Sequence, residues 1–152
     1  MKIIKKTFFI LILISITSCG YEPIFIKNNK NNTPIKDYQI IGDKMIGRKI
    51  VSAFNLDSQK KSEGYGLIIN TRKTLETIAK DDTGRSSSFK TSIIVLISLM
   101  KGDEVYKEKN FSSDFVYNNI KSKFDLKQYQ QDIESNLIDI IIDEVSIFLI
   151  WN

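Results

Sequence analysis

A chain of 152 residues, 42% hydrophobic and 26% charged, has the length of one domain and enough apolar residues to bury a core, which excludes an intrinsically disordered protein. It carries no histidine and a single cysteine, so Ser-His-Asp and Cys-His nucleophilic catalysis, most zinc sites and any intramolecular disulfide are excluded. The net charge of +4 falls to +1 when Lys2, Lys5 and Lys6, in a segment expected to be removed, are taken away; a nearly neutral domain has no charge excess for a polyphosphate, so no nucleic-acid partner is expected.

Met1 to Lys6 is short and basic, and Phe8 to Ile14 is an uninterrupted apolar run. The run is far shorter than the roughly 20 apolar residues of a membrane-spanning helix, and it fits the n-region and h-region of a secretory signal. Ile16, Thr17, Ser18 and Cys19 then resemble the lipobox of bacterial lipoproteins: an aliphatic residue, two small residues and the cysteine that carries the lipid. That resemblance implies cleavage between Ser18 and Cys19, and a diacylglycerol thioether on Cys19. Each buried lipid methylene contributes about 0.8 kcal/mol, and the two or three chains of such an anchor suffice for stable attachment to a membrane. Gly20, in place of the aspartate that tends to retain lipoproteins in the inner membrane, is compatible with an outer-membrane destination on the periplasmic side. Residues 1–18 are therefore expected to be a lipoprotein signal peptide, 19–35 a lipidated N-terminus and tether containing the polar run from Lys27 to Pro34, and 36–152 the folded domain.

Within that domain, Asp37 to Ile41 reads as a short strand. A helical pattern follows from Asp43 to about Asn55, with Asp43 as N-cap and Ile46, Ile50, Ala53 and Phe54 on one face. Tyr65, Leu67, Ile69 and Thr71 alternate with more polar neighbours before a mixed stretch to Lys80. Phe89, Thr91, Ile93, Val95, Ile97 and Leu99 form the longest period-two pattern in the chain. Asp81 to Gly84 is a hairpin turn between these runs, and Lys101 to Asp103 is a second turn into Val105 to Ser112, so the three runs should form an antiparallel meander. The middle run also carries Ile94, Leu96 and Met100 on its other face. Asp125 and Gln128 resemble a capping box, after which Tyr129, Ile133, Leu137, Ile140, Ile141, Val145 and Phe148 trace a helical stripe. Asp139, Asp143 and Glu144 interrupt it, so this is a core helix rather than a membrane span.

Chemistry-bearing motifs are sparse. Asp82, Thr83 and Gly84 spell the short signature of an aspartic protease, but charged Lys80 and Asp81 precede it where that family has apolar strand residues, and a turn is the better reading. Gly64, Tyr65 and Gly66 lack the third glycine of a dinucleotide loop and read as a strand entry. The carboxylates are scattered without an evident acid/base pair. Neither catalysis, a cofactor nor a metal is expected.

Two stretches resemble the LPS-assembly lipoprotein family (LptE-like) in its alphaproteobacterial form. The first is Cys19, Gly20, Tyr21, Glu22, Pro23, Ile24, Phe25, similar to that family's Cys-Gly-aromatic-x-Pro-aliphatic-aromatic start. The second is Ser113 to Leu149, where Asp114 to Asn118 resembles the family's Ser-Tyr-Asn strand end, and Phe124, Asp132, Leu137, Asp143, Val145 and Leu149 hold positions like those of its final helix. The resemblance implies an α+β fold, a four-stranded mainly antiparallel sheet with two helices packed on one face, in the order strand, helix, three strands, helix. It also implies a non-catalytic role: plugging and helping to assemble the outer-membrane β-barrel (LptD-like) that inserts lipopolysaccharide. On that reading Ile94, Leu96 and Met100 are partner contacts, while Arg85, Lys90 and Lys101 are candidate contacts to lipopolysaccharide. The plain alternative for this face is solvation, since Lys90, Ser92 and Ser98 interrupt it. Two rival functions stay open: a lipid-anchored module binding a small ligand or cell-wall glycan, and a lipoprotein enzyme.

Overall fold

The computed structural model describes residues 33–56 and 63–150. The expected signal segment, Ser18, Cys19 and all of the tether except Thr33 to Ile35 lie outside them. The elements are β1 (Ile35–Gly42), α1 (Lys44–Ala53), β2 (Tyr65–Lys80), β3 (Ser86–Lys101), β4 (Glu104–Asn118) and α2 (Lys123–Ile150). The spatial order of the strands is β1-β2-β3-β4, with β1 parallel to β2 and the other pairs antiparallel. The expected strand, helix, three strands, helix order and α+β class are present, with both helices on one face of the sheet.

The strand parity of β3 decides which face that is. Ile93, Val95, Ile97 and Leu99 are fully buried, as are Leu67 and Ile69 opposite them on β2 and Phe111 on β4. Their helical counterparts are Ile46 and Ile50 from α1 and Leu137, Ile138, Ile141 and Val145 from α2, which join the same cluster. Each such aliphatic side chain, fully buried, contributes about 1.5–3 kcal/mol.

A parallel neighbour requires a crossover, and α1 lies in it, starting at Lys44, just after β1, because its entry is tightly organised. Gly42 takes φ +85° where an added Cβ would collide with the Thr71 carbonyl, so the turn out of β1 needs glycine. Asp43 then caps the helix: its Oδ1 accepts from the backbone N–H of Met45 at 2.9 Å and of Ile46 at 3.3 Å. Thr71 Oγ1 lies 3.2 Å from the Ile41 carbonyl and 2.8 Å from that of Asp43, tying the turn to β2. Gly47 lets α1 lie directly on Ile40, whose side chain fills the space a Cβ would need. β1 pairs with β2 only as far as Thr71, and among the described residues β2 runs on alone on that side to Lys80.

The final helix begins earlier than expected. Ser122 Oγ accepts from the Asp125 N–H at 3.3 Å, which makes Ser122 the cap and places Asp125 in the first turn, where its charge favours the helix dipole. The buried stripe also differs at three positions: Tyr129 is exposed at 39%, Ile140 is half exposed, and Ile138 is buried in place of Ile140. Leu137, Ile141, Val145 and Phe148 fix the helical phase, and on a 3.6-residue turn that phase takes Ile138 inward and Ile140 and Ile147 outward. At its C-terminus, the Leu149 carbonyl accepts from Thr33 Oγ1 at 2.6 Å and the Phe148 carbonyl accepts from Lys107 Nζ at 3.3 Å, which satisfies groups that a helix end otherwise leaves open. No helix among the described residues is long and apolar enough to cross a membrane.

Candidate functional site

Both helices cover one side of the sheet, so the even-numbered residues of β3 face the other side, where no described element packs. Ile94, Leu96 and Met100 all lie there, each partly buried by its sheet neighbours alone. Pairing sets the surroundings of each. Leu96 stands between Asn70 on β2 and Asn110 on β4, with Ile41 of β1 beyond Asn70; Ile94 stands between Arg72 and Ser112; Met100 stands between Gly66 and Val105. Ile68 and Ser98 fill the row between the last two apolar residues. The result is an apolar centre with a polar margin in which Arg72 borders Ile94 and other charged groups are engaged. Ser98 Oγ donates to Glu108 Oε2 at 2.6 Å, and Lys90 Nζ lies 3.3 Å from Asp114 Oδ2. Such a surface loses little by excluding water, because its isolated charges are few and its central side chains are apolar.

The three cations singled out for lipopolysaccharide do not converge. Arg85 sits at the tip of the β2–β3 hairpin, Lys101 beside the opposite β3–β4 turn, and Lys90 between them on the helix-free face. At about 3.3 Å per residue, Arg85 and Lys101 are roughly 50 Å apart. Arg85 Nε also lies 3.1 Å from Asp81 Oδ2.

The Asp81 carboxylate organises that hairpin tip. Its Oδ1 accepts from the Thr83 N–H at 2.9 Å, the Thr83 hydroxyl at 2.6 Å and the Arg85 N–H at 2.9 Å, while Gly84 takes φ +81°. The Thr83 hydroxyl and the Arg85 amide hold the carboxyl below its ordinary range. Asp82, Thr83 and Gly84 therefore belong to a turn on an exposed tip, as the flanking charges indicate, and Tyr65 opens β2 just after Gly64.

One polar pair was not foreseen. Lys73 Nζ lies 2.8 Å from Glu134 Oε2 beneath the sheet, and Glu134 Oε1 has no hydrogen-bond partner among the described residues. The signal was available: Lys73 shares the inward parity of Thr71 and Ile69, and Glu134 falls on the same helical face as Leu137, Ile138 and Ile141. A lysine and a glutamate at two core-facing positions are most economically satisfied by each other.

No protein-family model matches the chain, and no curated protein matches it in sequence. Solved structures do match in fold. The crystal structure of rare lipoprotein B from Shewanella oneidensis superposes with a TM-score of 0.55 at 8% identity, over 72% of this chain and 89% of that one. A minor lipoprotein from Acinetobacter baumannii gives 0.55 at 6% identity, over 77% and 90%. Lipoprotein B from Nitrosomonas europaea gives 0.53 at 8% identity, over 75% and 80%. At such identities the likeness is one of fold: the same α+β arrangement across most of each chain.

Proposed function

We propose that this chain is an outer-membrane lipoprotein, anchored through lipid on Cys19, that helps assemble and plugs the β-barrel inserting lipopolysaccharide. The observation that carries the reading is the helix-free sheet face, with Ile94, Leu96 and Met100 as an apolar centre among mostly paired or neutral polar groups, Arg72 beside Ile94 excepted. The lipobox at Ile16 to Cys19, the family-like stretches at Cys19 to Phe25 and Ser113 to Leu149, and the fold shared with three lipoproteins support it. A plug works by complementarity of shape and chemistry rather than by turnover. Its action is to give a large barrel a surface on which to close and to keep its lumen filled. Arg85 at the hairpin tip, and Lys90 and Lys101 along β3, would meet anionic lipid separately rather than as one pocket.

Crosslinking followed by pull-down from detergent-solubilised membranes tests the partner. A large outer-membrane barrel should be recovered with the wild type and lost with Leu96→Glu, which places an unpaired charge in the interface at a cost of about 2–5 kcal/mol while leaving the domain folded. Recovery of no barrel by the wild type would overturn the reading and favour a ligand- or glycan-binding module. Metabolic labelling with a palmitate analogue tests the anchor: Cys19→Ala should abolish the label, and its retention would refute lipidation at that residue.

A further inference from the structure

β1 leaves β2 at Thr71, and from Arg72 to Lys80 no described strand pairs with that side of β2. The direction of its free groups follows from two bonds. Tyr65 donates its N–H to the Pro34 carbonyl and Thr71 accepts at its carbonyl from Asp43, so the odd-numbered residues of β2 turn both backbone groups toward β1. By alternation, Lys73, Leu75 and Thr77 present N–H and C=O to the open edge.

The same residues point their side chains to the helix side, where a groove of about 270 Å³ lies between the edge and the two helices. Met45 and Leu75 are its apolar lining, beside Thr91, Lys127, Gln130 and Gln131, with the Lys73–Glu134 ion pair in its wall. Met45 and Leu75 are 54% and 55% exposed, so no described residue covers this apolar lining. A strand added in line with β1 would satisfy the backbone of Lys73, Leu75 and Thr77 and drop every second side chain onto Met45 and Leu75.

The charges on the opposite side of the edge select the occupant. Arg72 and Lys80 stand at its two ends and Glu76 at its centre. A second copy pairing antiparallel over the whole edge would set Glu76 against Glu76 and Arg72 against Lys80, which like-charge repulsion opposes. The other sheet edge is guarded. Along β4, Lys107 lies over the Phe148 ring at 4.5 Å and Lys109 over Phe111 at 5.0 Å, and α2 packs beneath.

We infer that the β2 edge from Arg72 to Lys80 accepts an extended segment of another protein, apolar at every second residue, acidic at its ends and basic at its centre. This does not depend on the barrel reading above, and its test involves neither membrane nor barrel.

The probe is a synthetic peptide as long as the open edge, with valines at alternate positions, glutamates at both ends and a lysine at the centre. It is added to the full chain in detergent micelles. Amide hydrogen exchange at Lys73, Leu75 and Thr77 should slow at least tenfold, and a charge-reversed peptide should bind at least tenfold more weakly. Leu75→Pro removes an edge-facing N–H without breaking a β2–β3 bond and should abolish the protection. Glu76→Lys, on the exposed side, should lower affinity for the first peptide and raise it for one with a central glutamate, which keeps the test decisive if Leu75→Pro fails to fold. Unchanged exchange at millimolar peptide, or equal binding of both peptides, overturns the inference. So does protection already present without peptide: if dependent on protein concentration, the edge belongs to a second copy, and if independent of it, to another part of this chain.

Discussion

The two faces of β3 share large aliphatic residues, but only the helix-free face interleaves them with Lys90, Ser92 and Ser98. Ile93, Val95, Ile97 and Leu99 are fully buried under two helices, whereas Ile94, Leu96 and Met100, one position away along the same strand, are covered only by their neighbours in the sheet. Antiparallel sheets with one solvated face generally carry polar residues on it, and here Lys90, Ser92 and Ser98 are polar while Ile94, Leu96 and Met100 are not, so this face lies between a core face and a fully polar one. The first face accounts for the fold, and the second is left over for something else.

The sharpest way to break this contrast is to place a charge on the first face. Ile93→Asp or Ile141→Asp puts an unpaired carboxylate among fully buried side chains, at a cost of several kcal/mol against a total stability of about 5–15 kcal/mol, so either variant should be unfolded by circular dichroism. A thermal melt within error of wild type would mean the faces are assigned the wrong way round. Truncation measures the contrast more finely: Ile97→Ala should cost about 2–5 kcal/mol in urea unfolding and Leu96→Ala about 1 or less. Equal losses would show that the second face is as tightly packed as the first.

A smaller effect probes the polar pair on the core side. Lys73→Met leaves the Glu134 carboxylate without its cation and should destabilise by about 1–3 kcal/mol, while replacing both partners by apolar residues should recover most of that loss. A double-mutant cycle with no coupling would sink the assignment. The smallest effect is confined to the hairpin tip. Because the Asp81 carboxyl is held below its ordinary value of 3.8, its contribution is complete above that value and is lost as pH falls through the lowered one. Amide protection at Thr83 and Arg85 should therefore disappear in that acid window, with the rest of the sheet unaffected; Asp81→Asn should remove the pH dependence.

Most of the architecture was legible because the alternation of β3 and the Asp43 cap are local signals that tertiary packing did not override. Where the reading missed, two signals competed. Asp125 and Gln128 looked like a cap because Asp, like Ser, favours that position, yet Ser122 lies immediately before the helix and takes it. Ile140 and Ile138 are the same residue type two positions apart, and only the phase set by the rest of α2 separates them. The second half of β2 reads as mixed because its outer edge meets no described strand, so burial imposes little pattern on Arg72 to Lys80. The candidate face was visible as residues, and so was the spread of Arg85, Lys90 and Lys101, since the turns at Asp81 to Gly84 and Lys101 to Asp103 put Arg85 and Lys101 at opposite ends of an extended strand.

The bond from Thr33 to the end of α2 has a mechanical consequence. Thr33 lies immediately before Pro34 and β1, and its hydroxyl and amide both donate to the Leu149 carbonyl. Tension on the preceding chain therefore enters where the first strand and the last helix are joined. Directed along β1, it loads the parallel β1–β2 hydrogen bonds together, in shear, rather than opening them one at a time. A domain tethered at this end can be tugged from one side and still keep its sheet.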